Sequence, residues 1–339
     1  MNEMPLYPMK FEPLYKTKIW GGKKLKTILN KTDAPENAGE SWEISAVQDN
    51  ISILANGFLK GNNLQELIEI YMGDLVGPKV YDKFGNEFPL LVKFIDANDK
   101  LSVQVHPDDE TARKRHNAYG KTELWYVVQA DQGSKLISGF NQKISKEEFV
   151  ARMNDNKILD VLNFVDVNAG DVFFIPAGRI HATGEGILFA EIQQTSDVTY
   201  RVYDWDRRDE NGKGRELHTE LARDVIDYTP VDKACTEYRD EADKPSRIVS
   251  SEYFVTNYIH LKNDMTKSYV SCNSFVILMC VKGKLELTWE HGSISLSKGE
   301  TILLPHELME IKLIPDSESV LLETYIDMPD EGEVGRENT

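Results

Sequence analysis

The chain has 339 residues, with 39 basic and 56 acidic side chains and a formal net charge of −17. That charge argues against a nucleic-acid binder, because affinity for phosphate backbones comes mainly from clustered lysine and arginine. Hydrophobic residues make up 41% of the chain and no apolar run approaches the roughly 20 residues that span a bilayer, which indicates a soluble, folded protein.

The predicted helices are few and short. Asn63 is expected to cap a helix over residues 63–72, and Asp108 and Asp109 to cap one that includes residues 111–115. Ser145 and Glu148 form an S-x-x-E capping box that predicts a helix over residues 145–162. A last helix is expected near residues 216–228.

Strand patterns dominate the rest of the chain. The first series covers residues 88–96, 100–106, 123–130, 171–177 and 187–194, and a second series of short apolar runs follows a polar stretch at 231–245. Such spacing indicates a β-sandwich or closed barrel. GDVFFIP at 170–176 and GETILLP at 299–305 share a Gly-x5-Pro spacing, which favours an internal duplication.

Three cysteines, Cys235, Cys272 and Cys280, form no C-x-x-C pair, so any metal must be bound through nitrogen or oxygen. The first 15 residues lack a basic segment followed by an apolar one, which is the pattern of a secretory signal. We therefore expect a cytoplasmic protein.

Four residues form a candidate metal site. Gln104 and His106 alternate in SVQVHPDD and share one face of a predicted strand, although an isolated Q-x-H could equally face solvent. Glu123 begins a later strand, and His181 ends the more specific pattern Gly-x5-Pro-x-Gly-x2-His. Two imidazoles, a carboxylate and an amide suit zinc, with manganese, iron and cobalt left open.

These motifs resemble those of type I mannose-6-phosphate isomerases of the short bacterial form, in the cupin superfamily. SVQVHPDD and GKTELWYVV resemble the first cupin motif and PAGRIHATGEG the second, and KIWGG, GESWEIS and EIQQTSDVTYRVYDWDR agree with the family. The resemblance covers roughly residues 10–325. It implies a mainly β fold of two cupin-type jelly-roll barrels with a few short helices. We expect a catalytic domain at 1–230, a connecting segment at 231–250, a degenerate barrel at 251–326 and a flexible tail at 327–339.

The resemblance also implies an enzyme, an aldose–ketose isomerase that interconverts mannose 6-phosphate and fructose 6-phosphate through an enediol. It implies one zinc ion per chain on Gln104, His106, Glu123 and His181. The implied catalytic residues are Arg201, Lys121 and Glu191, with the base open between Glu191 and Lys121 and Lys93 also eligible. The implied substrate and phosphate contacts are Lys93 and Ser102, and we add Trp20 of KIWGG, whose alternative role is a packed aromatic beside a turn.

Two departures from the family pattern bear on the site. The stretch between Glu123 and His181 is too short for the inserted helical domain of long family members, and Gly120 stands where they often have a histidine. GETILLP lacks the Gly-x2-His continuation, so we expect no metal site in the second barrel. The alternatives are a non-catalytic sugar-phosphate-binding or regulatory paralogue and an iron or manganese redox cupin. We expect a phosphosugar as partner, neither nucleic acid nor membrane, and a monomer or weak homodimer.

Overall fold

The computed structural model describes residues 4–208 and 211–328. The strands are β1 (Leu14–Gly22), β2 (Ala38–Ile44), β3 (Ala46–Val47), β4 (Asn50–Ile51), β5 (Leu90–Ala97), β6 (Val103–Val105), β7 (Glu123–Ala130), β8 (Lys135–Phe140), β9 (Leu162–Asp166), β10 (Val172–Ile175), β11 (His181–Thr183), β12 (Ile187–Gln194), β13 (Tyr200–Tyr203), β14 (Ser246–Ser250), β15 (Val255–Leu261), β16 (Met265–Ser268), β17 (Val276–Lys282), β18 (Lys284–Trp289), β19 (Gly292–Ser297), β20 (Thr301–Leu304), β21 (Glu310–Pro315) and β22 (Ser319–Tyr325). The helices are α1 (Lys24–Thr27), α2 (Leu64–Val76), α3 (Pro78–Phe84), α4 (Asp109–His116), α5 (Lys146–Asn154) and α6 (Thr219–Val225), with a 3-10 turn at Ile158–Val161. The tail predicted at 327–339 lies, from residue 329 onward, outside the described residues.

The predicted helix starts are confirmed better than the ends. Asn63 caps α2 in a reciprocal capping box with Glu66, and the Asp108 side chain accepts the Thr111 N–H at the start of α4. Ser145 caps α5, but this helix ends at Asn154 and not at residue 162. The reason is tertiary: Asn156 has a left-handed φ of 56°, and Leu162 begins β9, which pairs with β8. The helix expected near 216–228 is shorter, at Thr219–Val225.

The chain divides into two compact units. The first unit consists of Tyr15–Trp42 and Leu90–Glu237, and the second of residues 4–14, 43–89 and 238–328. In the first unit one sheet has the order β1-β2-β5-β12-β7-β10 and the other β13-β6-β11-β8-β9. In the second unit the orders are β14-β15-β22-β17-β20 and β16-β21-β18-β19. The domain boundaries predicted at residues 230 and 250 stay a prediction.

Eight consecutive strands repeat the same topology in both units. Strands β5 to β12 pair as β5-β12-β7-β10 and β6-β11-β8-β9, and adding ten to each number gives the pairing of β15 to β22. The Gly-x5-Pro echo falls on the equivalent strands β10 and β20. This correspondence supports the duplication expected from sequence.

The prediction of a mainly β protein with a few short helices is confirmed, but closed barrels are not seen. Within the described residues, strand pairing leaves two separate sheets in each unit. In the first unit an apolar cluster joins both sheets, with Trp125 and Phe189 from one and Leu136 from the other. In the second, a cluster including Leu278 and Leu287 does the same. No helix of the described chain is long and apolar enough to cross a membrane.

Candidate metal centre and its cavity

Three of the four predicted ligands form a buried cluster in the first unit. His106 Nε2 lies 3.3 Å from Glu123 Oε1, and His181 Nε2 lies 3.7 Å from Glu123 Oε2. Gln104 Nε2 lies 3.3 Å from His181 Nε2. Ligands about 2.1 Å from a tetrahedral zinc ion lie about 3.4 Å from one another, so the spacing suits such an ion.

Strand pairing brings these residues together from both sheets. Gln104 on β6 is the register partner of His181 on β11, while Glu123 begins β7 in the other sheet, opposite Ile175. His106 follows β6 directly. The packing of one sheet on the other therefore brings together predicted ligands that are far apart in the sequence.

Both imidazoles present Nε2 to the cluster. The Nδ1–H of His106 donates to the Val198 carbonyl at 2.9 Å, and the Nδ1–H of His181 donates to the Arg179 carbonyl at 2.8 Å. Since a carbonyl only accepts, Nε2 is the unprotonated nitrogen in each neutral ring. Burial, followed by the charge of Lys121, lowers the pKa of His106 to about 3, and burial lowers that of His181. Both rings are therefore neutral at pH 7, as metal ligands must be.

The cluster has polar atoms that the protein leaves unsatisfied. His106 Nε2 and both carboxylate oxygens of Glu123 are buried without a hydrogen-bond partner among the described residues. Lys121 Nζ lies 3.0 Å from Glu123 Oε1 and forms an ion pair with it, but not in the orientation of a hydrogen bond. Burial would raise the pKa of Glu123, but Lys121, His106 and His181 together outweigh it and hold that pKa well below its usual range. A divalent cation would satisfy these atoms, with the Gln104 amide turned to present its oxygen, so the residues fit a metal.

The turn before His181 is tied to the cluster. Gly178 has a φ of 84°, in the left-handed region that glycine favours, and its N–H donates to the His106 carbonyl at 2.9 Å. A Cβ added at this glycine would stand 2.9 Å from the Val225 carbonyl oxygen. The glycine of the second motif thus sets a turn that holds both histidines.

A cavity of about 410 Å³ opens beside the cluster. Its lining contains seven of the residues predicted from sequence, namely Trp20, Lys93, Ser102, Gln104, Lys121, Glu191 and Arg201. The other three, His106, Glu123 and His181, form the cluster that Gln104 and Lys121 contact. All ten predicted residues therefore line this cavity or lie in the cluster beside it.

Lys93 and Glu191 form a buried pair in the cavity wall. They are register partners on β5 and β12, with Lys93 Nζ 2.8 Å from Glu191 Oε1 and 2.6 Å from Gln193 Oε1. The Trp125 indole N–H donates to Glu191 Oε2 at 2.9 Å. Burial raises the pKa of Glu191 although Lys93 opposes it. Burial would lower the pKa of Lys93, but Glu191 and Glu40 outweigh it and raise it.

The remaining predicted residues have distinct surroundings. Arg201 lies on β13 opposite Gln104 of β6, and its side chain donates to the Glu216 carbonyl at 2.8 Å. Ser102 is buried just before β6. Trp20 is 5% exposed and packs with Ile95 and Leu101, as its alternative role as a packed aromatic predicts. It also lies in the cavity wall.

Sequence reasoning missed several lining residues. They are Lys16, Lys18, Glu40, Trp42, Asp197, Thr199 and Arg215. Lys16, Lys18 and Trp20 alternate along β1, so their shared face was available as a signal. Glu40 and Trp42 alternate in the same way within GESWEIS. For Arg215, outside any strand, no such signal exists.

The second unit differs at the equivalent positions. Glu123 pairs with Ile175, the fifth residue after Gly170, and Val276 pairs with Leu304, the fifth after Gly299. Val276 is thus the counterpart of the predicted ligand Glu123. By the same register, Glu323 is the counterpart of Glu191, and it is held by Tyr269, Lys267 and Asn257.

Two family models match the chain. The model described as phosphomannose isomerase type I, catalytic domain, matches residues 9–134, and the model described as mannose-6-phosphate isomerase, cupin domain, matches residues 246–320. Mannose-6-phosphate isomerase ManA of Bacillus subtilis is 34% identical over 91% of this chain and 96% of its own length. The mannose-6-phosphate isomerase of Streptococcus mutans is 34% identical over 92% and 97%. The crystal structure of the B. subtilis mannose 6-phosphate isomerase aligns with a TM-score of 0.85 at 31% identity, covering 94% of this chain and 99% of that one.

Proposed function

The chain belongs to the type I mannose-6-phosphate isomerases, which are aldose–ketose isomerases, and on that premise we propose that it acts with one zinc ion and through an enediol. The observation that carries the proposal is the buried ligand cluster, whose unsatisfied atoms adjoin a cavity lined by Glu191 and basic residues. In the reaction, the proton on C2 of mannose 6-phosphate moves to C1 and the hydroxyl proton on O2 moves to O1.

Gln104, His106, Glu123 and His181 would hold the metal. Nitrogen and oxygen ligands without sulfur suit zinc, and one carboxylate among four ligands leaves the site with net positive charge. When bound, the ion polarises the oxygens at C1 and C2 of the sugar.

Glu191 is the base in this proposal. Its carboxylate lines the cavity, and the raised pKa that burial gives it makes it a stronger base than an exposed glutamate. Lys93 is less suited to act as the base because its raised pKa keeps it protonated while it donates to Glu191. Lys121 is ion-paired with the ligand Glu123 and serves as a positive charge beside the sugar oxygens.

The other assigned residues bind and stabilise. Arg201 stays protonated at every accessible pH and stabilises negative charge developing on oxygen. We keep Lys93 and Ser102 as substrate contacts and Trp20 as an apolar wall of the cavity. The cytoplasmic location and a monomeric or weakly dimeric state remain predictions.

A coupled assay for fructose 6-phosphate formed from mannose 6-phosphate tests the proposal. Activity should disappear on chelation and return when zinc is added to the chelated protein. Magnesium added at the same concentration is the control, because this ion prefers oxygen ligands. A folded, zinc-loaded protein without turnover would favour the sugar-phosphate-binding paralogue, and oxygen consumption would favour the redox cupin.

A further inference from the structure

The cavity has the opposite charge balance to the whole chain. Six basic side chains line it, Lys16, Lys18, Lys93, Lys121, Arg201 and Arg215, against three acidic ones, while the formal net charge of the chain is −17. A phosphosugar dianion repelled by the acidic surface needs such a local excess of positive charge. One or more of these cations must therefore bind the phosphate.

Three of the lysines are already neutralised by carboxylates. Lys93 pairs with Glu191 at 2.8 Å, Lys121 with Glu123 at 3.0 Å, and Lys18 with Glu40 at 3.0 Å. Two of these pairs adjoin the ligand cluster or the proposed base. These paired lysines are suited to the reacting carbons of the sugar more than to its phosphate dianion.

The arginines form a separate group around one aspartate. Asp204, at the end of β13, is buried and accepts from Arg215 Nε at 2.7 Å and from Arg207 at 2.6 Å. Arg207 also donates to the Lys100 carbonyl at 2.6 Å and is not part of the cavity lining. Burial would raise the pKa of Asp204, but the hydrogen bonds from Arg215 and Arg207 outweigh it and lower that pKa. Asp204 is therefore a carboxylate that fixes the direction of Arg215.

Arg201 stands beside this group and has no carboxylate of its own. One terminal nitrogen donates to the carbonyl of Glu216, the residue after Arg215, and its Nε is buried without a hydrogen-bond partner in the described chain. Arg201 forms no ion pair among the described residues, and Arg215 commits Nε and one terminal nitrogen to Asp204. Arg207 also forms an ion pair with Asp99 at 3.7 Å, so three arginines against two aspartates leave an excess of one positive charge, which favours an anionic group such as phosphate.

We propose that Arg215, held in place by Asp204, is a phosphate-binding residue that recognises the 6-phosphate of the substrate, while Arg201 beside it keeps its role at the reacting oxygens. This inference rests on the proposed function for the identity of the sugar, but the site itself would take inorganic phosphate. Asp204 is a positioning residue in this proposal.

The test compares Arg215→Gln with Arg208→Gln. The second change removes the same charge from an exposed arginine nearby whose one hydrogen bond within the described residues is to the Gly212 carbonyl. In Arg215→Gln, KM for mannose 6-phosphate and Ki for inorganic phosphate should both rise about 10- to 100-fold with kcat nearly unchanged, because a charge-assisted hydrogen bond is lost. The KM and Ki of Arg215→Lys should lie between those of Arg208→Gln and Arg215→Gln. Asp204→Asn alone should raise KM, but combined with Arg215→Gln it should raise KM no further.

Two results would overturn the proposal. One is a phosphate Ki in Arg215→Gln equal to that in Arg208→Gln, and the other is a collapse of kcat at constant KM. If the wild-type protein has no isomerase activity, calorimetric binding of inorganic phosphate separates the two proposals. If wild type binds phosphate and Arg215→Gln does not, the phosphate site is supported although the isomerase proposal fails. If both proteins bind phosphate equally, the phosphate site is overturned.

Discussion

The four proposed metal ligands should differ in how strongly each holds the ion. His106 offers an Nε2 whose tautomer the Val198 carbonyl fixes, whereas Gln104 offers a neutral amide oxygen. We expect His106→Ala to lose most of its zinc and Gln104→Ala to retain more. Metal analysis after dialysis against a weak chelator measures both, with circular dichroism as the check on folding. Equal zinc loss in the two variants would contradict the ranking.

Glu191→Gln should reduce kcat by about 10² to 10⁴, the usual range for removing a general base, with zinc content unchanged. The matched control is Glu323→Gln, the same change at the equivalent register position in the second unit, where Tyr269 and Lys267 hold the carboxylate. The control should keep its kinetics. Steady-state rates with metal analysis decide, and similar rates in both variants would remove Glu191 from the mechanism.

The pH dependence follows from the same carboxylate. A base must be unprotonated, and burial raises the pKa of Glu191, so kcat should fall with decreasing pH above the range of an ordinary glutamate. Lys93 faces Glu191 directly, and the charges of Glu123 and Lys121 also act on it. A pH–rate profile measures the acid limb, and Glu191→Gln should lack it. An acid limb that persists in that variant would assign it to another group.

The ligands and the pairing of Lys93 with Glu191 differ in how far sequence could predict them. Gln104 and His106 share a face by strand alternation, and His181 ends a specific motif, so the ligand set was accessible. The Lys93–Glu191 contact depends on the register of β5 against β12, nearly one hundred residues apart. Arg215 belongs to no periodic element, and only the folded chain brings it to Asp204.

Among the elements, the turn from Pro176 to His181 carries the clearest prediction. Gly178→Ala places a Cβ 2.9 Å from the Val225 oxygen at a φ of 84°, and the left-handed conformation alone costs about 1–2 kcal/mol. Since this residue also donates to the His106 carbonyl, zinc affinity should fall together with the free energy of unfolding.

Gly133→Ala is the control for that change. Gly133 also has a positive φ, of 81°, but a Cβ there meets nothing within 4 Å. This variant should lose a similar amount of stability and none of its zinc affinity. Denaturant unfolding and zinc titration measure the two effects, and equal zinc affinity in Gly178→Ala and Gly133→Ala would mean that the turn does not support the ligands.

Element boundaries show where local patterns suffice. β7 and β12 begin and end as predicted, because each is an apolar run with clear turns on both sides. The helix predicted to residue 162 is overridden, because Leu162 pairs with β8 in the sheet. In the second unit, Val276 in place of Glu123 is visible only once β17 is aligned with β7.

For the whole molecule, metal removal should lower stability. The ligands come from both sheets of the first unit, so an ion bound to them stabilises the folded state only, by about 4 kcal/mol at a concentration 1,000 times its Kd. Urea unfolding with and without chelator should show this difference. His106→Ala should show none on chelation, and an equal chelator effect in that variant would mean that the stabilising ion binds elsewhere.

The composition of the second unit has a consequence for synthesis. Its early segments, residues 4–14 and 43–89, pack with residues made much later: the rings of Phe88 and Phe275 are 4.5 Å apart, and Met9 pairs with Leu303. At about 5–20 residues per second, the ribosome needs roughly 10 to 40 seconds to pass from one group to the other. During that interval strands β5 to β13 of the first unit are made, so the contact of Phe88 with Phe275 can form only after these strands exist. The second unit can therefore complete its fold only after residues 238–328 are made, whereas every segment of the first unit is present once residue 237 is made.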